Sequence, residues 1–348
     1  MVTGTDQLNS LYEEPRDVDP THRTTRSMKH KKATLPPKYP NKLVTVCMLF
    51  NAMLLRPTFF DWTTSTLHNA SSTLKTLEIM CQKSISAEYW QCLFEGLALP
   101  ELTTFKIDQT MYETPPVGVS ILRDFLLRHT HITSLELHGV GCPDAKLMPL
   151  HDTPLFPRLV ALSAHPSWVS ALLSKMLASG SFITAENAII DLKSVVLSTN
   201  SHFAGVPDFD SFNTAIQQIA MFPPGSDITF SLLFMHNRNR DDGVADWITE
   251  HITLGPADSV LGQLKSVSRF NLLSKHMYLF TPDIIDLMPS FVGLFPHVQS
   301  VAFEFNENKD AILNSSYLGR MADACPTLNI VKAGSTSVDL TETRHNRS

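Results

Sequence analysis

The sequence predicts an α/β solenoid with parallel strands on its concave side and helices on its convex side. Four prolines each stand two residues before an apolar stretch patterned L-x-x-Φ-x-Φ, where Φ is apolar and valine once replaces the leucine: Pro100, Pro157, Pro296 and Pro326. Strand-like segments recur at steps of 27–39 residues, and helical periodicity returns between them. A supersecondary unit that recurs at such an interval is typical of stacked repeats, which grow by adding units and do not enlarge one core.

Ten segments have the apolar pattern of a strand, and helical crossovers between them would make these strands parallel. The segments are residues 43–49, 74–80, 102–108, 132–138, 159–165, 192–198, 228–234, 267–273, 298–304 and 328–334. Because side chains alternate along a strand, we expect positions 1, 4 and 6 to point inward and positions 3, 5 and 7 to face solvent.

The segments between the strands predict helices. Residues 86–99 begin with Ser86 as an N-cap and place Trp90 and Phe94 on one face. The same spacing predicts helices over residues 119–128, 167–178, 208–220, 281–294 and 315–324. Trp62 and Trp90 each stand twelve residues before the next predicted strand, which predicts equivalent buried positions. The polar residues 236–243 predict a surface loop.

Composition and charge divide the chain into three regions. Residues 1–42 predict a disordered, basic, proline-containing tail, residues 43–334 the solenoid, and residues 335–348 a disordered C-terminal tail. The first 42 residues hold eight Lys or Arg against five Asp or Glu, whereas the remainder holds 20 against 29. Residues 21–42 contain seven basic residues and no acid, a pattern that fits a nuclear-import signal, a loose nucleic-acid contact or a solubilising tail.

Several classes of protein are not indicated. The five cysteines form no CxxC pair, which favours reduced thiols in a cytoplasmic or nuclear protein. The longest apolar run, residues 43–55, is shorter than the roughly 20 residues that cross a bilayer, so no membrane association is expected. No phosphate-binding loop, nucleophile elbow or zinc-binding helix motif is present, and the sequence predicts no enzyme, cofactor or metal.

The repeats resemble leucine-rich repeats of the irregular kind. LKTLEI, LTTFKI and ITSLEL match the L-x-x-L-x-L strand core, although the Asn or Cys that normally follows is missing. Together with WQCLFEGLALPELTTFKI, FLLRHTHITSLELHG and PLFPRLVALSA, they are similar to the F-box and leucine-rich-repeat-like proteins of mushroom-forming fungi. The resemblance implies repeats that recruit a substrate to a ubiquitin ligase, with an F-box that docks on the ligase adaptor. No F-box is recognisable before these repeats.

The concave face of the solenoid is the expected site of partner contact. One row of outward positions reads Glu78, Lys106 and Glu136, with alternating charges that would also stabilise one another. The next row reads Met80, Asp108, His138 and His165, a set that could alternatively bind a metal or share a proton. The later strands add Arg269, Asn271 and Glu304.

These observations favour a protein–protein interaction module that binds an unidentified protein partner, resembling the substrate-recognition repeats of an F-box protein. A ubiquitin-ligase adaptor would be a further partner. The alternative is a nuclear, nucleic-acid-associated scaffold that uses the basic 21–42 arm, although the acidic repeats give no support for a nucleic-acid-binding domain. A degenerate fragment without a selected function is a third possibility.

Overall fold

The computed structural model describes residues 43–48, 55, 57–81, 85–109, 117–142, 156–178, 191–199, 207–235, 243–275, 280–304 and 309–341. Contacts divide the chain into two units, 1–39 and 40–348, and every described residue belongs to the second. The predicted tail over residues 1–42, with its basic arm, lies outside the described residues, as does the predicted surface loop up to residue 242.

The described part of the chain contains eleven strands that form one sheet, and each strand pairs with the next one in the sequence. The pairs are parallel from β1 to β10, and β10 pairs with β11 in antiparallel fashion. The strands are β1 (Thr45–Met48), β2 (Thr76–Met80), β3 (Thr104–Asp108), β4 (Ser134–His138), β5 (Ala161–Ala164), β6 (Ser194–Ser198), β7 (Ile228–Met235), β8 (Val267–Lys275), β9 (Ser300–Glu304), β10 (Ile330–Ala333) and β11 (Thr336–Asp339).

Within the described ranges, helices lie between successive parallel strands everywhere except between β4 and β5, as predicted for an α/β fold. They are α1 (Pro57–Asn69), α2 (Ala87–Gly96), α3 (Val119–Arg128), α4 (Pro166–Ala178), α5 (Phe209–Ala220), α6 (Val244–Asp258), α7 (Pro282–Val292), α8 (Lys309–Ile312) and α9 (Ser315–Ala324). Among the described residues, none of these helices has both the length and the apolar character needed to span a membrane.

The recurrent proline occupies a tight turn before the strand. Leu102 donates its backbone N–H to the carbonyl of Leu99 at 3.1 Å, which places Pro100 at the second position of a β-turn. Leu159 and Leu328 make the same bond across Pro157 and Pro326. Proline suits this position because its ring fixes the φ angle that the turn requires.

A second repeated bond sets the register between neighbouring repeats. The carbonyl of Lys75 accepts hydrogen bonds from the N–H groups of Thr103 and Thr104, at 2.8 and 2.9 Å. The carbonyl of Thr103 in turn accepts from Thr133 and Ser134, at 2.8 and 3.0 Å. The same double acceptance occurs at the carbonyls of Val44, Thr133, Val160 and Gln299. Each repeat therefore holds the first residues of the next one in a fixed register.

One face of the sheet packs on the helices, as the predicted alternation requires. In β3, Phe105 and Ile107 are fully buried, whereas Thr104 and Lys106 between them are only partly buried. Phe105 contacts Phe94 of α2 and Phe125 of α3, with ring centroids 5.9 and 4.8 Å apart. The core therefore lies between the helices and this face, and none of the described helices packs on the other face of the sheet, which is called the open face below.

The prediction that Trp62 and Trp90 are equivalent is wrong. Trp90 is 1% exposed and Trp62 is 61% exposed. The buried row of α1 includes Thr63 and Leu67, and that of α2 includes Trp90 and Phe94, so Thr63 corresponds to Trp90. The reason is that six residues connect α1 to β2, whereas seven connect α2 to β3. One missing residue rotates Trp62 to the outside of its helix.

The helices α1, α6 and α8 and the strand β11 were not predicted. β11 lies within residues 335–348, where the sequence predicted a disordered tail. A two-residue loop connects it to β10, and Gly334 has a φ of 55°, which is the left-handed conformation that such a hairpin needs. β7 and β8 are also longer than predicted, and they end at Met235 and Lys275.

Candidate functional site

The open face of the sheet carries a row of polar side chains on four neighbouring strands, at paired positions of β1 to β4. The row consists of Cys47, Glu78, Lys106 and Glu136. Lys106 Nζ lies 3.2 Å from Glu78 Oε1 and 3.9 Å from Glu136 Oε2. The thiol of Cys47 donates to Glu78 Oε2 at 3.4 Å. The predicted alternating row of Glu78, Lys106 and Glu136 is therefore present as an ion-pair network.

Partial burial and the neighbouring charges shift the pKa values in this row. Burial alone would lower the pKa of Lys106, but the carboxylates of Glu78 and Glu136 outweigh it, and the pKa is raised. Burial raises the pKa of Glu136, and Lys106 only partly opposes this effect. The pKa of Cys47 is raised by burial and by the carboxylate of Glu78. Lys106 therefore stays charged and Cys47 stays a neutral thiol at physiological pH.

A second row lies at the carboxyl ends of β3 and β4, where Asp108 pairs in register with His138. Both were expected to face solvent, and this expectation is wrong because Asp108 is 7% exposed and His138 is 3% exposed. His138 Nε2 lies 2.8 Å from the hydroxyl of Ser163, and its Nδ1 lies 3.2 Å from Glu136 Oε1. His138 thus connects the second row to the first.

The positive charge that pairs with Asp108 comes from Lys275, which lies five strands away in the same sheet. Its ammonium group forms an ion pair and a hydrogen bond with the Asp108 carboxylate. The two residues are 167 positions apart in the chain, and they lie on β3 and β8. The last residue of β8 that pairs with β9 is Leu273. The strand continues for two more residues to Lys275, and this extension makes the contact possible. It accounts for part of the burial of Asp108.

His165 has different partners from the other members of the predicted row. Cys142 Sγ lies 3.3 Å from His165 Nδ1, and the N–H of Ser167 donates to the same nitrogen at 3.3 Å. Burial lowers the pKa of His165 to about 4, although the charge of Asp208 opposes this shift. His165 is therefore a neutral acceptor at physiological pH. Within the described residues, no three His, Cys, Asp or Glu side chains are grouped closely enough to hold a metal ion.

The three remaining predicted residues lie further along the sheet. Arg269 forms an ion pair with Asp227 at 3.2 Å, and the side-chain amide of Asn271 donates to Ser231 Oγ at 3.1 Å. Glu304 is exposed at the end of β9. The structure thus brings Glu78, Lys106, Asp108, Glu136 and His138 together, whereas His165, Arg269 and Asn271 have separate partners and Glu304 is exposed.

The predicted set of partner-binding residues did not include Cys47, Ser163 or Lys275. Cys47 and Ser163 occupy the same row of paired positions as Glu78 and Glu136, so the repeat spacing could have found them. Lys275 lies beyond the apolar core of its predicted strand, and no local pattern connects it to a residue five strands away.

A scan of the sequence against models of known protein families gives no match, and a search of curated proteins gives none either.

Proposed function

We propose that this chain is a protein-interaction module, built as an α/β solenoid of leucine-rich-repeat-like units with strands on its concave side. The observation that carries the proposal is the recurrent geometry at the start of the strands, where one carbonyl accepts two N–H groups from the next repeat. Units that contact mainly their neighbours are typical of solenoid proteins, in which the chain is extended by adding further units. Surfaces of such proteins commonly serve to bind partners.

The ion pair between Asp108 and Lys275 supports a concave open face. Neighbouring strands lie about 4.8 Å apart, so a flat sheet would separate β3 from β8 by about 24 Å. A lysine side chain cannot span that distance, and the sheet must bend toward its open face for the contact to form. A concave face with a continuous polar row is the surface on which we place the partner.

The chemistry of the row favours a protein partner with complementary charges. Glu78 and Lys106 are 25% and 38% exposed in their side chains, so both remain accessible while they pair with each other. A partner that presents the alternating charges in the opposite order can pair with this row and exclude water from it. By the resemblance to F-box proteins, the partner is the substrate of a ubiquitin ligase, and a ligase adaptor is a second partner.

The test is quantitative affinity capture from cell extract with three proteins: the wild type, Glu78→Lys and Glu101→Lys. Glu101 lies exposed in the turn before β3, so its substitution makes the same change of charge away from the open face. We expect Glu78→Lys to lose specific proteins that the wild type and Glu101→Lys both retain. Equal recovery by all three proteins would contradict the proposal.

Recovery of the ligase components tests the finer part of the proposal. Adaptor and cullin subunits among the captured proteins would support membership of a ubiquitin ligase. Capture of open-face partners without those subunits would leave a binding module that acts outside a ligase.

A further inference from the structure

A groove of about 650 Å³ crosses the amino ends of the four strands β7 to β10. The connections that lead into these strands line it, together with the first two residues of β8, and the lining residues lie within 224–227, 265–268, 297–299 and 326–329. This amino-edge groove lies at the opposite end of the strands from the carboxyl-edge pair of Asp108 and Lys275. It is therefore a surface separate from the open-face row described above.

One of the residues that line the groove has a buried hydroxyl that the described part of the chain leaves without a hydrogen bond. Ser266 lines the groove and is 2% exposed, and its Oγ has no hydrogen-bond partner. Buried polar groups are nearly always satisfied, and an unsatisfied one is destabilising. A ligand that enters the groove and bonds to this hydroxyl would remove the penalty.

Two side-chain amides extend this polar surface. Gln299 and Asn329 are neighbours because the N–H of Asn329 donates to the carbonyl of Gln299 at 2.8 Å. Both line the groove, and neither side-chain amide bonds to a described residue. A primary amide offers donors and an acceptor on the same group, which matches the donor and acceptor of a peptide bond.

The charges of the groove favour an acidic ligand. The carboxylate of Asp227 is already paired, because Arg269 lies 3.2 Å away and Ser268 donates to it. Lys265 and His297 also line the groove, and neither side chain has an ion-pair partner within the described residues. The groove therefore offers an uncompensated ammonium group and an imidazole.

We propose that the amino-edge groove binds a short acidic peptide segment in an extended conformation. Four strands span three steps of about 4.8 Å, or about 14 Å, which is the length of about four extended residues. In this arrangement Gln299 and Asn329 bond to the peptide backbone, Ser266 bonds to a carbonyl and Lys265 pairs with an acidic side chain. The site is independent of the open-face row and of its proposed partner.

The test uses two fluorescein-labelled hexapeptides, Gly-Glu-Ser-Glu-Glu-Gly and Gly-Lys-Ser-Lys-Lys-Gly, and measures fluorescence anisotropy at low salt. We expect the full-length protein to bind the acidic peptide in preference to the basic one. Lys265→Glu should weaken acidic-peptide binding by about tenfold or more, which corresponds to the loss of one charged contact. Lys75→Glu is the matched control because Lys75 is an exposed lysine just before β2, outside the groove.

A second variant keeps the test valid if a charge reversal affects folding. Ser266→Ala removes the unsatisfied hydroxyl, so it should leave stability unchanged or raised and weaken peptide binding several-fold. Equal binding of the two peptides, or the same affinity in wild type, Lys265→Glu and Ser266→Ala, would overturn the proposal. An equal loss of affinity in the Lys75→Glu control would also overturn it, because the binding would then follow the net charge alone.

Discussion

Removal of the Lys275 ammonium group should destabilise the protein, because it leaves the buried carboxylate of Asp108, five strands away in the sheet, without its ion-pair partner. Removing one partner of a fully buried ion pair costs about 3–5 kcal/mol, whereas an exposed pair contributes less than about 1 kcal/mol. Asp108 is 7% exposed and the Lys275 side chain is 31% exposed, so solvent screens the pair in part. We therefore expect Lys275→Met to lower the free energy of unfolding by about 1–2 kcal/mol.

The assay is urea unfolding of the wild type, Lys275→Met, Asp108→Asn and the double variant, from which a double-mutant cycle gives the coupling energy. We expect a favourable coupling of about 1 kcal/mol or more between the two residues. Lys75→Met controls for the loss of an exposed lysine and should change stability by less than about 0.5 kcal/mol. A coupling of zero, with Lys275→Met as stable as the control, would refute the contact across the sheet.

Three further predictions follow from burial and pKa. Burial lowers the pKa of His165 from its ordinary value of 6.5 to about 4, so the folded protein holds this histidine neutral while the unfolded chain binds a proton below pH 6.5. The free energy of unfolding should therefore fall by about 3 kcal/mol as the pH decreases from above 6.5 toward 4. His165→Gln should flatten the profile of unfolding free energy against pH, and an unchanged profile would contradict this assignment. Trp90→Ala should cost about 3–5 kcal/mol in urea unfolding, whereas Trp62→Ala, at an exposed position, should cost less than about 0.5 kcal/mol; equal costs would be inconsistent with the fold. Because burial and the Glu78 carboxylate raise the pKa of the exposed Cys47, Glu78→Gln should make Cys47 react faster with a thiol reagent near neutral pH, and an unchanged rate by peptide mapping would count against the open-face row.

The strands were predictable because their signal is local. An apolar residue at positions 1, 4 and 6 marks the buried side of the strands, and the repeat step then places Glu78, Lys106 and Glu136 at paired positions. β7 is the exception, because an irregularity in register after Ile228 brings Phe230 and Leu232 to the buried side. The residues before the recurrent prolines, such as Leu99 and Phe156, are buried. Periodicity in the sequence therefore determines both the order of the strands and the first row of the open face.

The orientation of Trp62, the helix α1 and the contact between Lys275 and Asp108 could not be predicted from the periodic pattern. One residue fewer in the connection after α1 rotates Trp62 outward, and the sequence alone does not reveal that difference. α1 contains several threonines and adjacent phenylalanines, which are weak helix formers, so its helical signal was low. The contact of Lys275 with Asp108 depends on how the sheet bends, which follows from the packing of all the repeats between them.

The central claim is that a protein partner binds the open face of the sheet. The most direct measurement is photo-crosslinking in cell extract with a benzophenone amino acid at Val196 on the open face of β6 or at Gln217 on the exposed side of α5. The account predicts a specific crosslinked protein from position 196 that is absent from position 217 and that excess unlabelled protein displaces. Specific crosslinks from position 217 with none from position 196 would contradict the claim.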